Sequence, residues 1–376
     1  MKNYVLCLVV SFLCVCRPVC AQKIEHFGVE EGLGGIQTFS ITQDKTGFIW
    51  IATRFGVNRL DGKNIKNYPI PVISNGQSPI RLTHVLLDRD STLWCYTDRG
   101  AIYKYNNNRD EFVCNNDLEL YLRHVFFDEN NDLWVGTRSF FGILKKDSLH
   151  VINTNELKNN EFKQFHPFDS SGFLVVANHT VYHFDIRSEK LICLLTNERL
   201  AGKPSFESIY YDRNENKIWI GCAGQGLFLY EISSGRCEPV ENRELLYQPL
   251  LVIRELNAQY LLLGTDGKGL CLLDRIEKKI VRMYNYHSPK EMRIKGNGVY
   301  DIYRDKSGKV WISTFSDGVY VFDFKKQDFH VIRHEENNDN SLLHNVVCDI
   351  LCDSNNNLWF ATNYGISHWN RKNNRW

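Results

Sequence analysis

Eight copies of one short frame recur along this chain, and they constrain its fold more than any other feature. The segment from Ile41 through Asp44, Gly47 and Trp50 to Thr53 aligns position for position with the segment from Ile302 through Asp305, Gly308 and Trp311 to Thr314. The same frame returns at Asp88 with Trp94, Asp128 with Trp134, Asp212 with Trp219, and Asp353 with Trp359. Two degenerate copies fill the gaps, with Val175 and Leu262 read at the tryptophan position. Successive anchors between 50 and 359 lie about 44 residues apart, a period that belongs to repeat architectures.

Each copy reads as strands joined by tight turns. Residues 345–351 alternate with period two, as a half-buried strand does. Residues 353–357 are Asp, Ser and Asn, types that accept turn geometry and hydrogen-bond their own backbone. The tryptophan strand 358–362 follows, then a turn ending in Gly365, then 366–369. A looser fourth strand, such as Phe329–Arg333, follows most copies. Four antiparallel strands per repeat predict an all-β β-propeller of four-stranded blades. The tryptophan would lie between neighbouring blades. A small residue two positions on (Ala52, Gly136, Gly221, Gly264, Ser313, Ala361) would let sheets approach closely.

Composition removes other classes. The formal net charge is +1, without the basic footprint of a nucleic-acid binder. Lys2 and the apolar run Tyr4–Cys16 read as a signal peptide over residues 1–21, cleaved after Ala21, which predicts an exported protein. An uncleaved N-terminal anchor is the alternative. No later run reaches the roughly 20 apolar residues of a membrane helix, so no span is expected in the mature chain. Of 12 cysteines, four fall in the leader. Cys95, Cys114, Cys193, Cys222, Cys237, Cys271, Cys348 and Cys352 show no CxxC or zinc spacing, and burial is the expected role for most. Neither metal nor cofactor is expected.

The frame Asp-x-x-Gly-x-x-Trp-x-Gly/Ala-Thr, followed by residues 56–62 (GVNRLDG), resembles the two-component regulator propeller repeat. The opening at His26–Leu33, leading into Thr53–Arg59, is similar to the usual mature N-terminus of those proteins. That family forms the periplasmic part of hybrid two-component sensors in gut Bacteroidetes-type bacteria. The resemblance implies a glycan-sensing input module rather than an enzyme. It also implies about fourteen repeats, a β-sandwich, a membrane helix, a kinase, a receiver and a DNA-binding domain, with homodimerisation through those downstream parts. This sequence stops at Trp376 in the eighth repeat, so phosphotransfer by this chain alone is not expected.

The family implies seven units per ring. Residues 22–326 would then form a seven-bladed propeller, closed by an N-terminal strand at residues 23–27 that completes the last blade. Residues 327–376 would begin a second, incomplete propeller, with a protease-sensitive junction between Glu335 and Asn340. A single eight-bladed ring is the alternative.

The repeat aspartates are expected to hold turns rather than bind calcium. Ligand contacts are expected in the turns between second and third strands: Arg54 and Phe55, Asp98 and Arg99, Arg138 to Phe140, Asn178 and His179, Asp266 to Lys268, Phe315 to Asp317, and Asn363 with Tyr364. Among these, Arg54, Phe55, Arg99, Arg138, Phe140, Lys268, Phe315 and Tyr364 supply the cations and ring faces that an anionic oligosaccharide would use. No catalytic residue is assigned: HExxH, GxSxG and P-loop motifs are absent. A protein–protein scaffold and, more distantly, a secreted glycan hydrolase or lyase are the other readings, because the fold alone does not decide function.

Overall fold

The computed structural model describes residues 24–70, 81–146, 148–152, 155–157, 159–324, 332–335 and 338–376. The leader and part of the strand expected at Phe329–Arg333 lie outside them. The chain divides into two compact units, one spanning Ala21–Phe324 and the other containing Lys325–Trp376.

The larger unit is a seven-bladed β-propeller. Blade 1 pairs Thr38–Gln43, Ile49–Thr53, Gly56–Leu60 and Ile65–Pro69 in chain order, all antiparallel. Blades 2, 3 and 4 repeat this order with first strands Leu82–Leu87, Leu122–Phe127 and Phe162–Asp169. In blade 5 the second and third strands run on as one element, Lys217–Glu231, which pairs Phe206–Asp212 at one end and Arg236–Val240 at the other. The first strands of blades 6 and 7 are Leu246–Glu255 and Val299–Arg304. In the seventh sheet the outermost strand comes from the other end of the unit. Ile24–Phe27 pairs with Val319–Phe322, His26 opposite Tyr320, so the ring is closed by backbone hydrogen bonds.

The frame has a physical cause. In blade 1, Asp44 Oδ1 accepts hydrogen bonds from the backbone N–H groups of Thr46 and Phe48, while Oδ2 accepts the Trp50 indole N–H at 2.7 Å. The same indole–carboxylate bond measures 2.9 Å in blades 2 and 3, 2.8 Å in blade 7 and 3.2 Å in the eighth repeat. One carboxylate therefore folds the turn and fixes the tryptophan. The fourth turn residue takes positive φ (Gly47, Ser91, Asn131, Gly308, Asn356), hence glycine or a residue that tolerates the left-handed region. Each anchor then packs on the next blade: Trp50 on Tyr105, Trp134 on Phe173 and Phe184.

The small residue two places on faces the next inner strand. A Cβ on Gly136 would stand 2.1 Å from the Phe162 ring, and one on Gly221 would stand 2.5 Å from Leu250.

Two sequence assignments change. Strand register aligns Gln164 with Val176 as it aligns Ser40 with Ala52, so Leu174, not Val175, occupies the tryptophan position of blade 4. Leu174 accordingly packs in the cluster shared with blade 5, and Val175 in the one shared with blade 3. Of the cysteines, Cys95, Cys222 and Cys271 are core residues, whereas Cys114, Cys193, Cys348 and Cys352 are exposed. The first two of these exposed thiols sit on Glu111–Asp117 and Lys190–Thr196, the edge strands of their sheets.

In the smaller unit the eighth repeat forms a three-stranded sheet, Val347–Cys352, Leu358–Thr362 and Gly365–Trp369. Trp359 is 39% exposed there, against 1% for Trp50.

Candidate functional site

The turns between second and third strands are locked to the segments that lead into each blade, which places both on one face of the ring. Arg54 N–H donates to Gln37 O, Asp98 N–H to Arg81 O, and Phe315 N–H to Gly298 O. Arg138 O and Asn178 O accept from Phe162 and Phe206, the first residues of the following blades. The threonine that ends the frame holds the turn itself. Thr53, Thr137, Thr265 and Thr314 donate their hydroxyls to Gly56 O, Phe140 O, Gly269 O and Gly318 O at 2.8–3.0 Å.

On this face the candidate side chains have neighbours of their own. Arg54 donates to Gln37 Oε1 at 3.2 Å and lies 5.9 Å from the Phe55 ring, which is 61% exposed. Arg99 stands 4.3 Å over Tyr121. Arg138 pairs with Glu161, and that contact holds the Glu161 carboxyl below its ordinary value. Phe140 is half-buried and gives its carbonyl to Thr137 N–H. Lys268 Nζ donates to the carbonyls of Glu244 and Leu246. Phe315 stacks on Tyr300 at 5.3 Å, and Tyr300 meets Phe39 edge-on at 6.1 Å, so blades 1 and 7 share an aromatic cluster. Tyr364, beside His344 at 4.7 Å, belongs to the smaller unit. Phe55 and Tyr364 thus offer exposed rings, Phe315 shows one face and Phe140 is half-buried, whereas the cations are committed to local partners.

Sequence reading missed a second group of residues. Every first strand of the ring carries an irregularity at one register: between Thr38 and Ser40, Leu82 and His84, Leu122 and His124, Phe162 and Gln164, Phe206 and Ser208, Leu250 and Val252, and Val299 and Asp301. A β-bulge re-aims the side chain beside it. Here it sets Ser40, His84, His124, Gln164, Ser208, Val252 and Asp301 as one layer around a central cavity of about 540 Å³. The bulge leaves no mark on hydrophobic alternation. The signal in the sequence was a polar residue recurring ten before the anchor tryptophan (Ser40, His84, His124, Asp301).

The layer is laced between blades. Ser40 Oγ accepts from Val85 N–H at 2.7 Å, Ser208 Oγ donates to Leu250 O at 2.6 Å, and Asp301 Oδ2 accepts from Ile41 N–H at 3.0 Å. His124 Nδ1 accepts from Phe165 N–H at 3.4 Å, which leaves the ring proton on Nε2. His84 Nδ1 is enclosed and has no hydrogen-bond partner among the described residues. Its ring stacks on Tyr96 at 5.1 Å. Burial pushes His124 down to about 3, with His84 and Arg254 adding to the effect, and burial also lowers His84. Arg254 Nη2 stands 3.5 Å from Asp301 Oδ1. Among the described residues, no group of His, Cys, Asp and Glu is arranged to hold a metal ion. No helix there is long and apolar enough to cross a membrane.

Comparison with known proteins follows the same lines. Residues 293–316 and 341–364 match the family model described as two component regulator propeller. No curated protein matches the chain by sequence. Among solved structures, the extracellular domain of BT3049 from B. thetaiotaomicron, assigned to a hybrid two component system, superposes with a TM-score of 0.66 at 20% identity, over 93% of this chain and 54% of that one. The extracellular domain of BT4673 from the same organism gives 0.67 at 17% identity, over 94% and 53%. This chain therefore spans about half the length of both. Virginiamycin B lyase from Staphylococcus aureus, a structure with quinupristin, gives 0.63 at 11% identity, over 81% and 100%. At these identities the likeness is one of fold. Two segments of this chain thus match the two component regulator propeller model, and its ring has the fold of the extracellular domains of BT3049 and BT4673.

Proposed function

We propose that the chain is an extracytoplasmic ligand-sensing module that binds an oligosaccharide on the face carrying the turns between second and third strands. The observation that carries this reading is the regulator-propeller match at 293–316 and 341–364. The open rings of Phe55 and Phe315 on that face support it, because sugar-binding surfaces use aromatic planes with a few polar groups. Residues 1–21 act as the export signal, and residues 22–326 form the sensing ring. Residues 327–376 open a second propeller, and dimerisation lies in parts beyond both. The module binds without turnover.

A glycan array on the full chain, followed by calorimetry and product analysis, tests this. Saturable binding with intact ligand recovered is the expected result. Replacing Arg54, Arg99 and Arg138 together by Ala is expected to abolish binding of an anionic oligosaccharide. Unchanged affinity in that variant removes the arginines from the site, and recovery of shortened glycans makes the protein an enzyme.

A further inference from the structure

We propose that the bulge layer in the central cavity is a binding site for one neutral, hydroxyl-rich ring of monosaccharide size. It deepens the ligand-binding reading above and rests on it: the face takes the length of the ligand and the cavity takes its end.

The walls define the class of ligand by what they can satisfy. Ser40, His84, His124, Gln164, Ser208 and Asp301 stand at one level, and Arg254 and Tyr303 line the same cavity. A purely apolar occupant would leave these polar groups desolvated without partners, at about 1–3 kcal/mol each. A free anion finds two guanidiniums on the walls, but Arg254 already faces Asp301 at 3.5 Å, and Arg89, beside Asp88, donates its Nε–H to Asp128 O at 2.9 Å. A metal ion finds no ligand set among the described residues. The charges cancel and what remains is a mixed ring of donors and acceptors. The His124 Nε2–H donates, the Ser40 hydroxyl proton is free to donate because its oxygen accepts from Val85, and Gln164 does both. Vicinal hydroxyls, each a donor and an acceptor, match such a wall.

Size and position agree. A volume of about 540 Å³ lies within the range of small-molecule sites and exceeds one pyranose ring. Tyr300, stacked on Phe315 and edge-on to Phe39, also lines the cavity. An aromatic cluster thus joins the layer to the turn-bearing face. The bulge occurs in all seven blades and presents two serines, two histidines, a glutamine, a valine and an aspartate.

The test uses the full chain and a panel of D-glucose, D-galactose, D-mannose, D-xylose and L-arabinose, read by long-range proton–nitrogen NMR of the histidine rings. At least one sugar is expected to shift the His84 and His124 signals saturably, and inorganic phosphate is expected to leave them unmoved. Gln164→Trp, which fills the cavity, is expected to weaken that sugar by at least about ten-fold, with the thermal transition retained. If Gln164→Trp fails to fold, Arg254→Met with the same readout replaces it. No shift from any sugar, a shift from phosphate instead, or unchanged affinity in the blocked variant overturns the cavity site. An oligosaccharide that still binds and is lost only in the triple arginine variant leaves the sensor reading standing while this one falls.

Discussion

Trp311 and Trp219 occupy equivalent places but not equivalent bonds. Trp311 donates to Asp305 at 2.8 Å, and bonds from Ser307, Trp311 and Lys309 outweigh burial to hold the Asp305 carboxyl below its ordinary value. In blade 5 one extra residue separates Asp212 from Trp219. Asp212 turns instead to Arg275 of the next blade, a guanidinium also near Glu215 and Glu255, and the Trp219 indole N–H finds no acceptor among the described residues. Trp→Phe should therefore cost more at 311 than at 219, by about 1 kcal/mol, the worth of one buried hydrogen bond. Urea unfolding of the two single variants checks this, and equal losses would show that the bond is not what holds the anchor. A second residue-scale prediction concerns His124. Its neighbours are His84, His166 and Arg254, with Asp301 beyond, and burial sets its folded value at about 3 against an ordinary 6.5. Between those values the unfolded chain binds more protons, so this contribution is full above about pH 6.5 and lost as the pH falls toward 3. The melting temperature should drop between pH 7 and 5, and His124→Gln, the residue blade 4 already uses, should flatten that slope. An unchanged slope would place the acid sensitivity elsewhere.

Among elements, spacing between sheets decides what each strand tolerates. Gly136 faces the Phe162 ring so closely that any Cβ collides with it, while Ala52 fills the same place in blade 1. Gly136→Ala should destabilise by about 1–3 kcal/mol, the usual range for overpacking. Phe162→Leu in the same chain should recover part of that loss, and strictly additive losses in a double-mutant cycle would mean the two do not meet. The strands also show where sequence stopped being informative. Asp44, Gly47, Trp50 and Thr53 were legible because each position is fixed by a local bond that every copy must make. Blade 4 was misaligned by one residue because it lacks the tryptophan, while Asp169 and Gly172 imitate the turn of the frame and count to 175. Asp169 in fact pairs with Gly172 across a tighter hairpin with a register shift, which brings Leu174 to the anchor. The cavity layer was illegible for another reason. The bulge that creates it is a backbone event between two strands, and the residues it presents are of five types rather than one motif. The cations at 54, 138 and 268 were visible as types, but their partners Gln37, Glu161 and the carbonyls of 244 and 246 come from other segments.

For the whole molecule, the consequential joint is the one between the first strand and the last sheet of the ring. Every other blade is assembled from contiguous chain, whereas blade 7 needs Ile24–Phe27, nearly 300 residues away from Val319–Phe322 in sequence. Phe27 stacks on Trp311 at 5.9 Å, and His26 bonds to Asp317 O at 2.8 Å, so the strand brings side chains as well as backbone. Without it, Val319–Phe322 becomes an open edge, the state that promotes pairing with other chains. Closing so long a loop is slow to occur, yet its thermodynamic cost grows only with the logarithm of length. The pairing should therefore form late in folding and still lock the ring firmly. Two shortened chains test this together. One ends at Phe324 and keeps the closing strand; because Ala21–Phe324 is a compact unit in itself, it should stay monomeric and melt with the ring's own transition. The other also begins at Gly28; it should melt far lower and self-associate at the exposed edge. Recovery of the monomer on adding a peptide of residues 22–28 would assign the loss to the missing strand. If both chains melt alike, the ring holds by blade packing alone; if the first fails to fold, residues 325–376 belong to the same cooperative unit.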